Sequence, residues 1–350
     1  MTACRGGCRR NQPGQTLADP ALALFPAEAT VVLSLDFRRV RASGLWQQLA
    51  QLAGDDPDDR KLIDGMVAAT GFDPFRQVHR LVAAFPEEAR VSRAFGIVLE
   101  GDKIDRARLL AYLQADARRR GSDLVERQRR GRTFWAAPAA ALAEGVAARD
   151  AASHDASLRD AGDSLGGGPA GFFLDDTHFV LGGGGWAERM ADIVDQPAPR
   201  PARAIDQPAL PRLIDRVARG RSIWMAALVP EATRVRLMAN PRFGSDASVM
   251  RFGASCDLGP ALSGDLIAEL NNQSDAKVLA GKVNTFLEAA KKRPEVLLLG
   301  VAPYLDGVKA EADGPDARIK FQLPAAQTEE LVGRLVGFLR MRRAGRAPVP

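Results

Sequence analysis

The chain has 350 residues, of which 46% are hydrophobic and 26% are charged, and its formal net charge is +5. This composition is typical of globular proteins, so it excludes a chain that is disordered throughout, and the length predicts about two domains. No segment approaches the roughly 18 consecutive apolar residues of a membrane-spanning helix, so none is predicted.

The segment 1–20 is polar and lacks periodicity, which predicts a flexible N-terminal tail. It contains no apolar core of a signal peptide. Cys8 nevertheless follows two glycines and precedes a polar tether, as the lipidated cysteine of a mature bacterial lipoprotein does, although Arg5 does not fit that motif. Two alternatives stay open: a lipid-anchored or periplasmic protein of the cell envelope whose true start lies upstream, or a cytoplasmic protein with an ordinary tail.

A first α+β unit is predicted over residues 21–196. It opens with an extra strand at 30–36 and a helix after Ser43. The unit itself then follows, as a helix ended by Gly71, strands, a helix that Asp105 caps, further strands and a final helix. The strands are predicted at 79–85, 95–100, 124–128, 132–136, 172–174 and 178–181, and the final helix at 186–194. An Ala/Gly/Ser-rich insertion near 138–168 is predicted to be disordered, since it has too few large apolar groups to bury.

A proline-rich linker is predicted at 197–208, followed by a second α+β unit over 209–342 and a flexible tail at 343–350. The second unit repeats the order of the first, with an extra short apolar helix at 295–304. The whole is therefore predicted to be two diverged tandem copies of a helix-strand-strand-helix-strand-strand-helix unit. Its hairpins favour mainly antiparallel sheets and the α+β class.

Three features suggest chemistry, and each has a simpler structural interpretation. The run Gly182–Gly185 precedes a helix but lacks the Lys-Ser or Lys-Thr of a phosphate-binding loop, so it is predicted to be a turn. Asp175 and Asp176, with His178, lie between two apolar runs and predict a hairpin turn. Cys256 lies in a strand beside an aspartate that disfavours its thiolate. We therefore predict no catalytic, metal or cofactor-binding residues and no cofactor.

One predicted hairpin is rich in arginine, at Arg127, Arg129, Arg130 and Arg132. These residues are interpreted as a solvated surface, with weak polyanion binding as the alternative. Specific nucleic-acid binding is not expected, because acidic residues are interspersed along the chain and no aromatic residues alternate with the arginines.

Several short segments of the body resemble a loose group of uncharacterised bacterial proteins that are often predicted to be exported lipoproteins. The segments are 24–28 (LFPAE) before 31–36 (VVLSLD), 41–46 (RASGLW), 71–74 (GFDP) and 274–277 (SDAK). The resemblance implies export and a lipid anchor. It supplies no activity and no functional residues.

The function predicted from these features is a non-enzymatic binding or scaffolding protein of the bacterial cell envelope, with an unknown partner. The first alternative is a cytosolic enzyme whose carboxylates converge only in the folded chain. The residues considered for that site are Asp64, Glu100, Asp102, Asp257 and Asp265. The second alternative is weak polyanion binding through the arginine-rich hairpin.

Overall fold

The structure is a computed structural model, and it describes residues 19–47, 57–87, 89–119, 121–136, 168–195, 201–217, 220–239, 249–298 and 300–344. Its strands are β1 (Ala29–Asp36), β2 (Val78–Pro86), β3 (Phe95–Gly101), β4 (Val125–Arg129), β5 (Arg132–Ala136), β6 (Ala170–Phe173), β7 (His178–Gly183), β8 (Ile223–Leu228), β9 (Arg251–Leu258), β10 (Leu262–Glu269), β11 (Val308–Asp313) and β12 (Asp316–Leu323).

The helices vary from one turn to more than five. They are α1 (Phe37–Arg41), α2 (Pro57–Thr70), α3 (Pro74–Gln77), α4 (Ala89–Ser92), α5 (Arg106–Arg119), α6 (Trp186–Asp195), α7 (Ala209–Arg216), α8 (Glu231–Ala239), α9 (Gln273–Lys291), α10 (Pro294–Leu298) and α11 (Ala325–Ala344). Short 3-10 helices lie at Leu22–Leu24, Ala204–Asp206 and Ala302–Gly307.

All twelve strands belong to one sheet, in the order β11-β12-β10-β9-β8-β1-β2-β3-β7-β6-β5-β4. Every neighbouring pair is antiparallel. The predicted α+β class with antiparallel pairing is therefore confirmed. The first strand of the chain, β1, lies at the centre, where it pairs with β2 on one side and β8 on the other.

The predicted duplication is not shown. Among the described strands, seven precede the proline-rich segment and five follow it, and both sets join in the single sheet. Strand β1, predicted to be an addition outside the repeat, is the strand that joins the two sets. The predicted helix at 295–304 is divided between α10 and the 3-10 helix at Ala302–Gly307.

One side of the sheet, the covered face, carries the main hydrophobic core. Strand alternation places Val32, Val82 and Val98 on this side, and each is 1% exposed. Helices α6 and α7 and the first two 3-10 helices supply the opposing layer. Their fully buried side chains include Trp186, Met190, Leu210, Leu213, Leu22 and Phe25.

Part of the predicted linker contributes to this core. Residues 201–208 are described, and within them Arg203 forms a bridge with Pro26 while Ala204 and Ile205 are buried. The segment therefore contacts the body instead of standing free, because its small and aliphatic side chains fill space beside the 3-10 helix at Leu22–Leu24. The predicted insertion lies outside the described residues, apart from its last position.

Candidate functional site

The other side of the sheet, the open face, is lined with apolar side chains over its middle strands. Strand register aligns one row across seven strands: Leu266, Ala254, Met225, Leu33, Ala83, Ile97 and Leu181. Neighbouring strands lie about 4.8 Å apart, so this row is about 29 Å long. A second row runs parallel to it through Cys256, Ile223, Leu35, Leu81, Leu99 and Phe179.

The two faces differ in how completely they are shielded from water. On the covered face, the core residues of the same strands are almost wholly buried. On the open face, every residue of the two rows except Ala83 retains intermediate exposure. An apolar sheet surface normally lies against another layer, so a surface of this size that is only partly buried is a candidate for binding.

Helices bound the open face at both ends of the sheet. At one end α9 packs on β11 and β12, with Ala276 buried against Ala317. Asn284 of α9 fixes this arrangement, since its side chain donates to the Ala310 carbonyl (2.9 Å) and accepts from the Ala310 N–H (3.1 Å). At the other end, the Arg106 guanidinium of α5 lies 5.2 Å from the centre of the Phe173 ring.

Between these helices, the middle strands of the open face carry almost no polar side chains. In the described strands β1, β8 and β9, the positions on the open face carry no charged residue. The backbone groups of these central strands are paired on both sides. Cys256 is half-buried there, and burial together with the nearby Asp257 raises the pKa of its thiol. The surface is therefore suited to an apolar ligand.

The arginine-rich hairpin, formed by β4 and β5, lies at one edge of the sheet. Two aspartates of α6 face three of its four arginines. Arg129 (2.7 Å) and Arg130 (3.7 Å) both face Asp192. Arg132 pairs with Asp195 at 2.5 Å, and hydrogen bonding to that carboxylate raises the pKa of Arg132. These contacts leave less free positive charge than the sequence suggests. Arg127 is exposed, and polyanion binding stays a prediction.

Beside this edge lies a cavity of about 410 Å³, bounded by Arg106, Arg132, Trp135, Phe173 and Asp195. Its guanidinium groups already face carboxylates. Arg106 pairs with Asp176 at 2.8 Å, Arg132 pairs with Asp195, and Arg130 shares Asp192 with Arg129. Ion pairs within the protein therefore already engage the arginines that the structure describes around this cavity.

The structure does not gather the five carboxylates considered for an enzyme site. Each faces a separate partner: Asp64 faces Arg60, Glu100 lies opposite Arg80, Asp102 faces His79, Asp257 faces Ser222, and Asp265 faces Arg221. A second cavity of about 120 Å³, beside Arg216, includes only Asp265 of the five. Among the described residues, no group of three or more His, Cys, Asp or Glu is arranged to hold a metal ion.

The Gly182–Gly185 run forms a tight connection between β7 and α6. Gly184 and Gly185 have φ values of +56° and +76°, which favour glycine. A Cβ at Gly182 would lie 2.4 Å from the backbone nitrogen of Ala187. Close approach of strand and helix therefore accounts for these glycines without a phosphate.

The predicted hairpin turn at Asp175 is present between β6 and β7. An Asp175 side-chain oxygen accepts hydrogen bonds from the backbone N–H groups of Thr177 (2.7 Å) and His178 (2.9 Å). Burial raises the pKa of Asp175, but hydrogen bonds from His178 and Thr177 outweigh this and lower it to about 2. The carboxylate therefore stabilises the turn in its ionised form.

Replacing Asp175 by asparagine should destabilise the protein at pH 7 and have progressively less effect in acid. The folded pKa lies below the ordinary value of 3.8, so the stabilisation is present above that pH and is lost as the pH falls towards the folded pKa. The difference corresponds to at most about 2.5 kcal/mol, and solvent screening of this half-exposed group reduces it to below about 1 kcal/mol. Denaturant unfolding of Asp175→Asn at pH 7 and at about pH 2.5 measures it. Asp176→Asn is the control, and an undiminished difference at the acidic pH would contradict the assignment.

Cys8, the predicted lipidation site, lies outside the described residues. Across the described part of the chain, none of the helices combines the length and the apolar character needed to cross a membrane.

No family model matches the chain, and no curated protein matches it. Crystal forms I, III and IV of TP0453 are similar to it at 11%, 11% and 9% sequence identity, with TM-scores of 0.42, 0.47 and 0.44. The alignments cover 91%, 91% and 93% of this chain and 97%, 98% and 100% of the TP0453 chains. At these TM-scores the likeness supports no argument about function.

Proposed function

We propose that this chain is a non-enzymatic binding protein of the bacterial cell envelope that holds an extended hydrocarbon chain against the open face. The observation that carries this proposal is the pair of partly buried apolar rows across the middle strands. The ligand class is the acyl chain of a lipid or fatty acid.

The length and chemistry of the open face both favour this ligand. An acyl chain in a membrane spans one leaflet, about 15 Å of a hydrocarbon core about 30 Å thick. The central row is about 29 Å long, so it accommodates a chain of that length with room at either end. Because the wall lacks charged groups, recognition depends on the removal of apolar area from water.

The expected affinity is moderate. Each buried methylene contributes about 0.8 kcal/mol, so ten methylenes contribute about 8 kcal/mol before the entropic cost of association is subtracted. Because about 8 kcal/mol corresponds to a dissociation constant of about 1 μM, that cost makes binding through ten methylenes weaker than micromolar. A headgroup that remains at the end of the row would stay in water.

The envelope location is supported by the sequence alone, through Cys8 and the resemblance to predicted lipoproteins. A lipid on Cys8 would hold the folded body near a membrane through the polar tail. Membrane partition of the natural full-length protein, compared with Cys8→Ser, tests this part separately. Loss of membrane association in Cys8→Ser supports the anchor, and unchanged association argues against it.

Titration with 11-(dansylamino)undecanoic acid tests the ligand class. We expect saturable enhancement of dansyl fluorescence at about one probe per chain, reversed by an unlabelled long-chain fatty acid. Butyrate at the same concentration is the control, because it buries too few methylenes to compete. If the wild-type protein gives no saturable signal, the proposal fails.

We also propose an internal duplication in which, unlike the predicted repeat, β1 begins the first copy and β8 begins the second; it is supported by the order of elements on either side of the central β1–β8 pair. In each half, three successive strands are followed by a helix at the open face, α5 or α9. The next hairpins return to the third strand, so that β7 pairs with β3 and β12 pairs with β10. A long helix, α6 or α11, then follows.

A further inference from the structure

The outer side of α9 and the helix that follows it expose large apolar side chains. Phe286 is 56% exposed and Leu297 is 58% exposed, which are high fractions for residues of this size. Val278, two turns before Phe286 on α9, is 41% exposed.

Arg293 links the two largest of these side chains. Its guanidinium lies 5.4 Å from the centre of the Phe286 ring, and its backbone carbonyl accepts the N–H of Leu297 at 3.0 Å. Phe286, Arg293 and Leu297 are named here the α9 patch. The aromatic ring, the cation and the aliphatic side chain are thus neighbours at the C-terminal end of α9.

Basic residues predominate around the α9 patch. Between residues 273 and 298 there are five basic residues and three acidic ones, Asp275, Glu288 and Glu295. Lys291 is already paired with two carboxylates, Glu288 at 2.6 Å and Asp306 at 2.8 Å. Exposed Lys292 lies next to Arg293. The patch therefore combines apolar groups that protrude into water with two adjacent exposed basic side chains, Lys292 and Arg293.

A single exposed apolar residue needs no explanation, and Val235 on α8, which is 54% exposed, is an example. The α9 patch differs because two bulky groups flank a cation. This combination matches the interface of a membrane, where apolar groups enter the acyl boundary and arginine or lysine stays at the headgroups. Anionic headgroups attract the surrounding basic residues.

We propose that the α9 patch docks the protein onto the surface of an anionic lipid bilayer. Phe286 and Leu297 insert at the headgroup–acyl boundary, while Arg293 and Lys292 contact lipid phosphates. This contact is additional to the proposed tether at Cys8 and does not depend on ligand binding at the open face.

Sedimentation with phosphatidylglycerol/phosphatidylcholine vesicles tests this proposal, with Cys8→Ser as the parent so that no lipid anchor contributes. We expect binding that weakens with salt and is stronger than binding to pure phosphatidylcholine. Phe286→Ser/Leu297→Ser should bind at least about tenfold more weakly, because it removes both inserting groups. Val235→Ser is the matched control and should bind as the parent does.

Circular dichroism and thermal unfolding establish that each variant is folded. Equal vesicle binding by the double variant and the parent would overturn the proposal, as would equal parental binding to charged and neutral vesicles. Concentration-dependent dimerisation of the parent that the double variant lacks would also overturn it, since the patch would then be a self-association surface. Dansyl fatty-acid binding should be unchanged in the double variant, so failure here is distinguishable from failure of the proposed function.

Discussion

Replacing Trp186 by alanine is expected to cost about 3–5 kcal/mol of unfolding free energy. Trp186 begins α6 and is 2% exposed in the core of the covered face. Strand β3 has glycine where the helix crosses it: a Cβ at Gly96 would lie 3.1 Å from Trp186 Cε3 and 2.8 Å from Met190 Sδ. Because α6 and β3 already pack this closely, neighbouring side chains cannot move in to fill the space left by the indole ring. Alanine at position 186 therefore leaves a cavity.

Trp135→Ala is the matched control for this stability measurement. Trp135 is half-buried at the edge of the sheet, and its ring meets Phe173 edge-on at a centroid distance of 5.9 Å. Its truncation should cost less than about 2 kcal/mol, because water already reaches part of the ring. Denaturant unfolding measures both variants. Equal costs would contradict the assignment of the main core to the covered face.

Replacing Ala254 by tryptophan is expected to weaken dansyl fatty-acid binding by at least about tenfold without destabilising the fold. Ala254 lies in the central row between Met225 and Leu266, where a large ring occupies the path of the acyl chain. Tenfold corresponds to about 1.4 kcal/mol, less than the contribution of two buried methylenes. The unfolding free energy should change by less than about 1 kcal/mol, because Ala254 is only partly buried and added volume causes large strain only in a filled core.

The stability of Ala254→Trp distinguishes an open surface from a closed core. Adding a large group to a filled core typically costs about 1–3 kcal/mol through strain. A loss of that size would show that another layer covers the position. Ala111→Trp, on the exposed side of α5, adds the same ring away from the open face and should leave affinity unchanged. Unaltered affinity in Ala254→Trp would contradict the location of the ligand.

Local sequence signals predicted the secondary structure well where turn chemistry is specific. The hairpin between β4 and β5 turns at Arg130 and Gly131, whose φ values are +51° and +80°. A two-residue turn of this hand requires positive φ at both positions. The pairing of β1 with β8 has no such signal, since Leu33 and Met225 lie in distant parts of the sequence. The single sheet could not be predicted for that reason.

The apolar character of the open face could be predicted in part from the sequence. Strand β2 contains the run Leu81–Phe85, which is apolar at every position and therefore places apolar groups on both faces. Such a run normally indicates burial on both faces. Whether a helix covers the second face depends on where α5 and α9 dock, and their amphipathic patterns do not specify that. The aspartates that pair with arginines of the hairpin could not be predicted from the sequence either, because Asp192 lies 63 residues from Arg129.

Protection of the Cys256 thiol by a fatty acid tests whether the ligand lies on the open face. In a Cys4→Ser/Cys8→Ser background Cys256 is the sole cysteine, and it lies in the second apolar row of the open face. The raised pKa of the Cys256 thiol predicts slow modification by a maleimide at pH 7. The rate should still be measurable, because the residue is only partly buried. A saturating long-chain fatty acid should slow this modification several-fold. A cysteine introduced by Val235→Cys in the Cys256→Ser form should react at the same rate with and without the fatty acid. If the rate of Cys256 modification is unchanged at a fatty-acid concentration that saturates the dansyl signal, the ligand binds elsewhere and the open face is not its site.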